Sequence, residues 1–127
     1  MAFLIDTHVL AWWLLIPDAL SSTVMSLLET EEAVFVSAIT AYEMAYKFRL
    51  GKWKAIEPIT SQFEKIIESQ GVESLAVTSN DALRAAMFSS DHRDPFDRMI
   101  AAQALERDYA VVTKDPVMDQ FGIKTVW

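Results

Sequence analysis

Short apolar runs alternate along the chain with longer segments whose apolar residues recur at helical spacing. Short runs bounded by polar or turn residues predict buried strands, and a spacing of roughly three to four residues predicts helices. Strands are predicted at residues 2–5, 33–36, 72–77, 109–112 and 123–126. Helices are predicted at residues 7–15, 22–31, 38–50, 61–70, 79–88, 95–107 and 117–121.

Capping residues support these helix boundaries. Ser, Thr and Asp are favoured N-caps, Pro is favoured in the first helical position, and Gly commonly ends a helix. Ser61 and Glu64 have the spacing of a capping box. The other predicted caps are Ser21 or Ser22, Ser37, Thr78 or Ser79, and Asp94 before Pro95, with Gly51 and Gly71 as stops. The polar loop at residues 89–94, SSDHRD, is the expected surface break.

The alternation of strand and helix predicts an α/β fold. Right-handed crossovers place helices on both faces of a mostly parallel sheet, which gives three layers, α/β/α. With 127 residues, 52% of them apolar, the chain has the size and composition of a single domain spanning residues 1–127.

The amino-acid composition excludes several kinds of active site and bears on the cellular location and partners of the chain. The chain has no cysteine, which excludes disulfides, a thiolate nucleophile and cysteine-ligated zinc. The longest apolar run, residues 9–16, is shorter than the roughly 20 residues that cross a bilayer, and no basic segment precedes it as in a signal peptide. We therefore expect a cytoplasmic protein without a membrane partner. The net charge of −7 disfavours nucleic acid binding unless bound metal or local basic residues offset it.

Acidic residues follow the predicted strands. Ligands of open α/β sheets bind beyond the carboxyl ends of the strands, and Asp6 and Asp115 both lie there. Glu43 lies on the second turn of the helix after the second strand, and Asp97 lies on the first turn of the helix before the fourth strand. Four carboxylates gathered in one hollow would repel each other, and a divalent cation such as Mg²⁺ would relieve the repulsion.

Each acid also has a structural interpretation. Asp6 and Asp97 suit helix N-termini, and Asp115 before Pro116 suits a turn. Glu43 is harder to explain in this way, because a nearly buried glutamate without a partner is costly.

Four separate segments carry a family resemblance that spans nearly the whole chain: LIDTHVLAWWL, SAITAYEMAYKFRLGK, HRDPFDRMIAAQA and VVTKD. In order and spacing they resemble the PIN-domain family, and most closely the VapC-like toxins of type II toxin-antitoxin pairs. The resemblance implies a five-stranded parallel sheet between helices, metal-dependent endoribonuclease activity with Mg²⁺ or Mn²⁺, and inhibition by a cognate antitoxin.

The resemblance also assigns residues. The catalytic and metal-binding acids of the family correspond to Asp6, Glu43, Asp97 and Asp115. Residues expected to orient these acids or their waters are Thr7, Ser37, Asp94 and Thr113. For Asp94 we expect a helix cap first and an outer metal contact second. The alternative function is a catalytically inactive PIN-like binding or scaffold module, and the presence of all four acids counts against it.

Basic and aromatic residues near the motifs suggest partners. Lys47 and Arg98 are candidate phosphate-binding residues for RNA, although each could instead pair with a neighbouring acid. For His92, in the polar loop, a surface role is expected. Trp12 and Trp13 point about 100 degrees apart on a helix, so one of them is expected to be exposed. With the aromatic helix at residues 42–48 they suit a homodimer interface or an antitoxin groove, although core packing explains most such side chains.

Overall fold

Five apolar segments form one sheet. The computed structural model describes residues 1–31 and 33–127. The strands pair in parallel in the order β3-β2-β1-β4-β5. Their bounds are β1 Phe3–Ile5, β2 Val34–Ser37, β3 Glu73–Leu75, β4 Ala110–Val112 and β5 Thr125–Val126. The predicted five-stranded sheet is confirmed, and every strand pair among the described residues is parallel.

Helices connect the strands. The α-helices are α1 Thr7–Leu15, α2 Ser22–Thr30, α3 Ala38–Arg49, α4 Glu57–Thr60, α5 Phe63–Ser69, α6 Ser79–Met87 and α7 Pro95–Arg107. Short 3-10 helices lie at Pro17–Ala19, Lys54–Ile56 and Pro116–Phe121. Within the described part of the chain, none of these helices is long and apolar enough to cross a membrane.

The core has two layers because successive side chains of a strand face opposite sides of the sheet. In β1, Phe3 and Ile5 join a cluster with apolar residues of α1, α2, α3 and α5. Leu4, between them, packs with apolar residues of α7 and the last 3-10 helix. The three-layer α/β/α arrangement is therefore confirmed.

Some boundaries differ from the prediction. The helix expected at residues 61–70 is divided into α4 and α5, and the predicted capping box of Ser61 with Glu64 is wrong. Pro58 lies in the first turn of α4, which starts the helix earlier. The hydroxyl of Ser61 donates to the carbonyl of Pro58 at 3.2 Å, and Gln62 precedes α5 without a side-chain cap. The capping box instead forms in α6, between Thr78 and Asp81.

The strand order determines where a ligand can bind. From β1 the chain adds β2 and β3 on one side and then places β4 on the other side of β1. The carboxyl ends of β1 and β4 therefore flank the point where the strand order reverses, which is the usual ligand site of open α/β sheets.

Candidate active site

An open cavity of about 440 Å³ lies at this reversal point. It is lined by Asp6, His8, Trp12, Glu43, His92, Asp94, Asp97, Lys114 and Asp115. The structure thus brings together all four acids that the sequence predicted. They come from the ends of β1 and β4, from the second turn of α3 and from the first turn of α7.

Asp6 is both a helix cap and a site residue. One carboxylate oxygen accepts a 2.9 Å hydrogen bond from the backbone N–H of Val9, as an N-cap does. The other accepts a hydrogen bond from the hydroxyl of Thr113. The capping interpretation is therefore confirmed, and the cap fixes the carboxylate at the cavity wall.

Thr113 connects two of the acids. Its Oγ1 donates to Asp6 and also accepts from the backbone N–H of Asp115 at 3.1 Å. Asp115 is exposed and caps the last 3-10 helix, because its Oδ1 accepts from the N–H of Val117 at 3.0 Å. Buried Thr113 thus holds Asp6 and the start of the Asp115 turn together.

Glu43 has the partner that its burial requires. The residue is only 3% exposed, and the ammonium of Lys47, one helical turn later, forms an ion pair with its carboxylate. The same ammonium lies 5.8 Å from the ring centroid of Trp53 and 5.9 Å from that of Phe96. Lys47 therefore holds Glu43 at the edge of the cavity, whereas the sequence had suggested phosphate binding as one of two roles.

Asp94 and Asp97 make different contacts at the start of α7. Asp94 Oδ1 caps α7 by accepting from the N–H groups of Phe96 at 2.8 Å and Asp97 at 3.3 Å. Asp97 Oδ2 instead lies 2.8 Å from Nε2 of His92. Potential ligand atoms of His92, Asp94 and Asp97 lie within 4.8 Å of one another. The cap is Asp94, and the carboxylate of Asp97 is directed to the cavity.

His92 does not have the surface position expected of it. Its side chain is 24% exposed, lines the cavity and contacts Asp97. The position five residues before Asp97, in a loop, matches no regular helical or strand spacing, so the sequence pattern gave no signal for this contact.

Burial opposes ionisation of two of the acids. It raises the pKa of Asp6, although hydrogen bonds from Thr113 and Val9 act in the opposite direction. Burial also raises the pKa of Asp97, against the hydrogen bond from His92. The negative charge of Glu43 adds to the rise for both groups. A bound cation would favour the ionised carboxylates.

Thr7 and Ser37 support the scaffold. Thr7 Oγ1 lies 3.0 Å from Oγ1 of Thr40, which joins the start of α1 to α3. Ser37 Oγ accepts from the N–H of Ile39 at the start of α3. Among the described residues, neither hydroxyl is hydrogen-bonded to any of the four acids, so their direct role in orienting the acids stays a prediction.

The guanidinium of Arg98 is engaged by backbone carbonyl groups at the end of α6 and in the segment between α6 and α7. Arg98 is partly exposed and also lines an open cavity beside that segment. It donates at 2.7–3.2 Å to the carbonyl oxygens of Ala85, Ala86, Phe88, Ser90 and His92. These contacts indicate that Arg98 organises the loop that carries His92, and its binding of phosphate stays a prediction.

Three residues that line the cavity were not predicted from the sequence to be site residues. Lys114 lines the cavity, and its ammonium lies 5.7 Å from the ring centroid of Trp127. The position of Lys114 just after β4, beside Asp115, was a usable signal. His8, in the first turn of α1, and Trp12, in the second, also line the cavity, and only the packing of α1 against the site reveals this.

Sequence comparisons with known proteins show which proteins this chain is similar to. A sequence model of the PIN domain matches residues 3–124. Ribonuclease VapC22 of Mycobacterium tuberculosis (strain ATCC 25618 / H37Rv) is 33% identical over 113 residues, which cover 88% of this chain and 85% of the relative.

Solved structures share the fold. A chain of VapBC2 from Rickettsia felis, crystallised with a promoter DNA fragment, matches with a TM-score of 0.72 at 15% identity, covering 99% of this chain and 98% of that one. A chain of FitAcB from Neisseria gonorrhoeae matches with a TM-score of 0.69 at 21% identity, covering 98% and 96%. The PIN-domain model matches almost the whole sequence, and the four predicted acids of this chain line one cavity. The chain therefore belongs to the PIN-domain family.

Proposed function

We propose that this protein is a metal-dependent endoribonuclease that hydrolyses RNA phosphodiester bonds in the cytoplasm, and that it is the toxin of a toxin-antitoxin pair. The observation that carries the proposal is the convergence of Asp6, Glu43, Asp97 and Asp115 on one cavity at the reversal point of the sheet. The identity to a relative named a ribonuclease supports the choice of RNA as substrate.

The donor set fits a hard divalent cation. Carboxylate oxygens in an open cavity suit Mg²⁺, which keeps several waters, and Mn²⁺, which accepts similar ligands. We assign Asp6, Glu43, Asp97 and Asp115 as the residues that would hold it. Such a cation supplies Lewis-acid activation of a phosphodiester and of the attacking water.

The chain's own residues position these groups. Thr113 orients Asp6 through its hydroxyl, and Lys47 holds Glu43 in place. His92 orients the carboxylate of Asp97. Lys114, at the mouth of the cavity, supplies positive charge that an incoming phosphate requires in a chain of net charge −7.

A nuclease assay tests the proposal. Purified protein is incubated with a mixture of structured and single-stranded RNAs in Mg²⁺, in Mn²⁺ and in chelator. Cleavage within the chain that needs the metal supports an endoribonuclease. A protein that binds RNA but cleaves none of it in either metal would instead be the inactive PIN-like module.

Metal binding should also stabilise the fold. A ligand that binds only the folded state at 10 to 100 times its Kd contributes about 1.4–2.7 kcal/mol. We therefore expect Mg²⁺ or Mn²⁺ to raise the Tm by several degrees in a thermal melt, and Asp6→Asn to abolish most of this shift. An equal shift in both proteins would place the bound metal elsewhere.

The antitoxin is proposed to cover the cavity. A solved structure from Klebsiella pneumoniae that shares the fold is a toxin-antitoxin complex. Trp12 and Trp13 are both half-buried against the core, so neither is the fully exposed residue expected of the pair. The apolar surface available beside them is the end of α1, where Leu15 is 39% and Ile16 is 57% exposed.

A homodimer is proposed through a second surface. Tyr42 is 61% exposed, and its ring packs against those of Tyr46 and Phe96 at centroid distances of 5.8–6.0 Å. Exposed aromatic clusters are typical of protein interfaces.

Co-expression tests the antitoxin. The product of the gene beside this one is produced together with this chain, which carries a tag. We expect a stable complex in which nuclease activity is suppressed, because the antitoxin hides the apolar end of α1 and neutralises the acids in one event. Recovery of the tagged chain alone, with full activity, would refute the proposed antitoxin partner. It would not affect the proposed nuclease function.

A further inference from the structure

A second cavity adjoins the site of the acids. It has a volume of about 470 Å³ and is open to solvent on one side. It is lined by His8, Ala11, Trp12, Leu15, Ile16, Lys47, Lys52, Trp53 and Ala55. His8 and Trp12 line both cavities, so a molecule that extends out of the acidic cavity along this wall enters the second one directly.

The wall of this second cavity is made of flat rings. The imidazole of His8 stacks on the indole of Trp53, with centroids 5.2 Å apart and planes 26° apart. The ring centroid of Trp12 lies 6.0 Å from that of His8, with the planes 51° apart. Aromatic walls of this kind bind the π-face of any base, which is why they are common where proteins hold single-stranded nucleic acid.

Two lysines flank the rings. Lys47 lies at the boundary between the cavities, where its ammonium is 5.8 Å from the centroid of Trp53 and is paired with Glu43. Lys52 is exposed at the outer part of the cavity. A planar aromatic wall with a solvent-exposed cation beside it is complementary to a nucleotide, which joins a flat base to a charged phosphate.

We propose that this cavity is a subsite for one unpaired nucleobase of the RNA substrate, next to the phosphodiester held at the acids, with Lys52 contacting the adjoining backbone phosphate. The inference rests on the proposed endoribonuclease function and adds to that site a contact with the base beside the cut. A base paired inside a helix is stacked on its neighbours and cannot enter the cavity.

The first test leaves the protein unchanged. A single-stranded RNA in which the wild-type enzyme cuts at one mapped bond is synthesised with an abasic ribose at each position in turn. Loss of one stacked base should lower kcat/KM by roughly 5- to 150-fold at a single position beside the cut. Abasic sites farther along the strand should have little effect.

The second test changes the cavity. Trp53→Ala should lower kcat/KM by a similar factor, mainly through KM, and should remove the sensitivity to the abasic position, whereas Trp53→Phe should keep both. Lys52→Ala should raise KM and reduce the salt dependence of binding. Lys54→Ala, which removes an equal charge from a residue outside the cavity, is the matched control. Thermal melts check that each variant is folded.

The outcomes separate the subsite from the function. Cleavage of the normal RNA with equal rates on every abasic substrate would refute the subsite alone. Failure of the wild-type enzyme to cleave any RNA would refute the proposed function and the subsite with it. If folded Trp53→Ala cleaves normally but escapes inhibition by the antitoxin, the cavity binds the antitoxin and the RNA subsite is wrong.

Discussion

Asp6→Asn is expected to abolish RNA cleavage while leaving the protein folded. The substitution keeps an oxygen to accept from the N–H of Val9, so the cap of α1 survives. It removes one negative charge from the proposed metal ligands. Electrostatic activation by a metal contributes several kcal/mol, so we expect a loss of activity on the order of 10²- to 10³-fold or more.

The other acids should behave in the same way. Glu43→Gln, Asp97→Asn and Asp115→Asn each remove one carboxylate charge from the cavity. For Asp97 a purely capping role would instead give a stability loss of about 1 kcal/mol with activity spared. Because Asp94, and not Asp97, accepts the N–H bonds at the start of α7, we expect activity to fall and stability to change little.

Asp6→Asn should raise the stability of the metal-free protein although it abolishes cleavage. The pKa of Asp6 is raised in the folded protein because burial disfavours the charged form. Without metal, this carboxyl therefore contributes stability that is full below its unfolded pKa of about 3.9 and is lost as the pH rises through the higher folded pKa. Asp6→Asn avoids this loss, so the metal-free variant should melt above wild type at neutral pH, and the difference should shrink toward acid pH.

Cleavage rates and metal-free melts across pH measure both effects. Asp18→Asn, which removes an exposed charge near the end of α1, is the matched control and should change neither quantity. Retention of wild-type turnover by Glu43→Gln, while Asp6→Asn loses it, would show that the assignment of Glu43 is wrong. A metal-free Asp6→Asn variant that melts well below wild type would show that its carboxylate is mainly structural.

The sheet and its acidic edge could be predicted because both depend on local and repetitive signals. The apolar runs of β1, β2 and β4 lie in the middle of the sheet, where helices cover both faces and the strands are mainly apolar. Once the strands are placed, the rule for parallel sheets places Asp6 and Asp115 at the same edge. The placement of Asp6 and Asp115 at one edge therefore followed from strand positions alone, whereas Glu43 and Asp97 also depend on where α3 and α7 begin.

The ends of the edge elements were harder to predict. β3 is an edge strand with only three residues, and two of these, Glu73 and Ser74, are exposed. The apolar pattern of residues 72–77 overestimates it, because Val72 is buried outside the strand and Ala76 and Val77 are exposed beyond its end. Likewise, Pro58 decides where α4 begins, and the spacing of Ser61 and Glu64 does not reveal this.

The loop before α7 could not be predicted, because its shape depends on contacts between residues distant from any repeating pattern. Nothing in the spacing of His92 and Asp97 predicts that their side chains meet at 2.8 Å. The adjacency of Arg98 to Asp97 likewise does not show that the guanidinium of Arg98 binds backbone carbonyls and not the carboxylate of Asp97. Packing of α6 against α7 brings the carbonyls of one segment around the guanidinium of the other.

Arg98→Lys is expected to destabilise the protein and reduce cleavage together. The guanidinium donates to five backbone carbonyls between α6 and the polar loop, through three different nitrogens. A lysine ammonium is a single point with three donors and cannot reproduce this planar fork. Water can replace some of the lost bonds, so we expect a loss of about 2–4 kcal/mol. For a chain of this length, that corresponds to a Tm lower by roughly 6–20 °C.

The same change separates a scaffold role from phosphate binding. If Arg98 bound phosphate, Arg98→Lys would leave the Tm and the salt dependence of RNA binding nearly unchanged, because Lys keeps the charge, and would raise KM through loss of the planar guanidinium contact. If Arg98 holds the loop, the Tm falls, and kcat falls as well, since His92 no longer orients Asp97. Arg93→Lys, in the same loop and exposed, is the matched control. Thermal melts and steady-state kinetics on these two variants decide between the roles, and an unchanged Tm in Arg98→Lys would overturn the scaffold assignment.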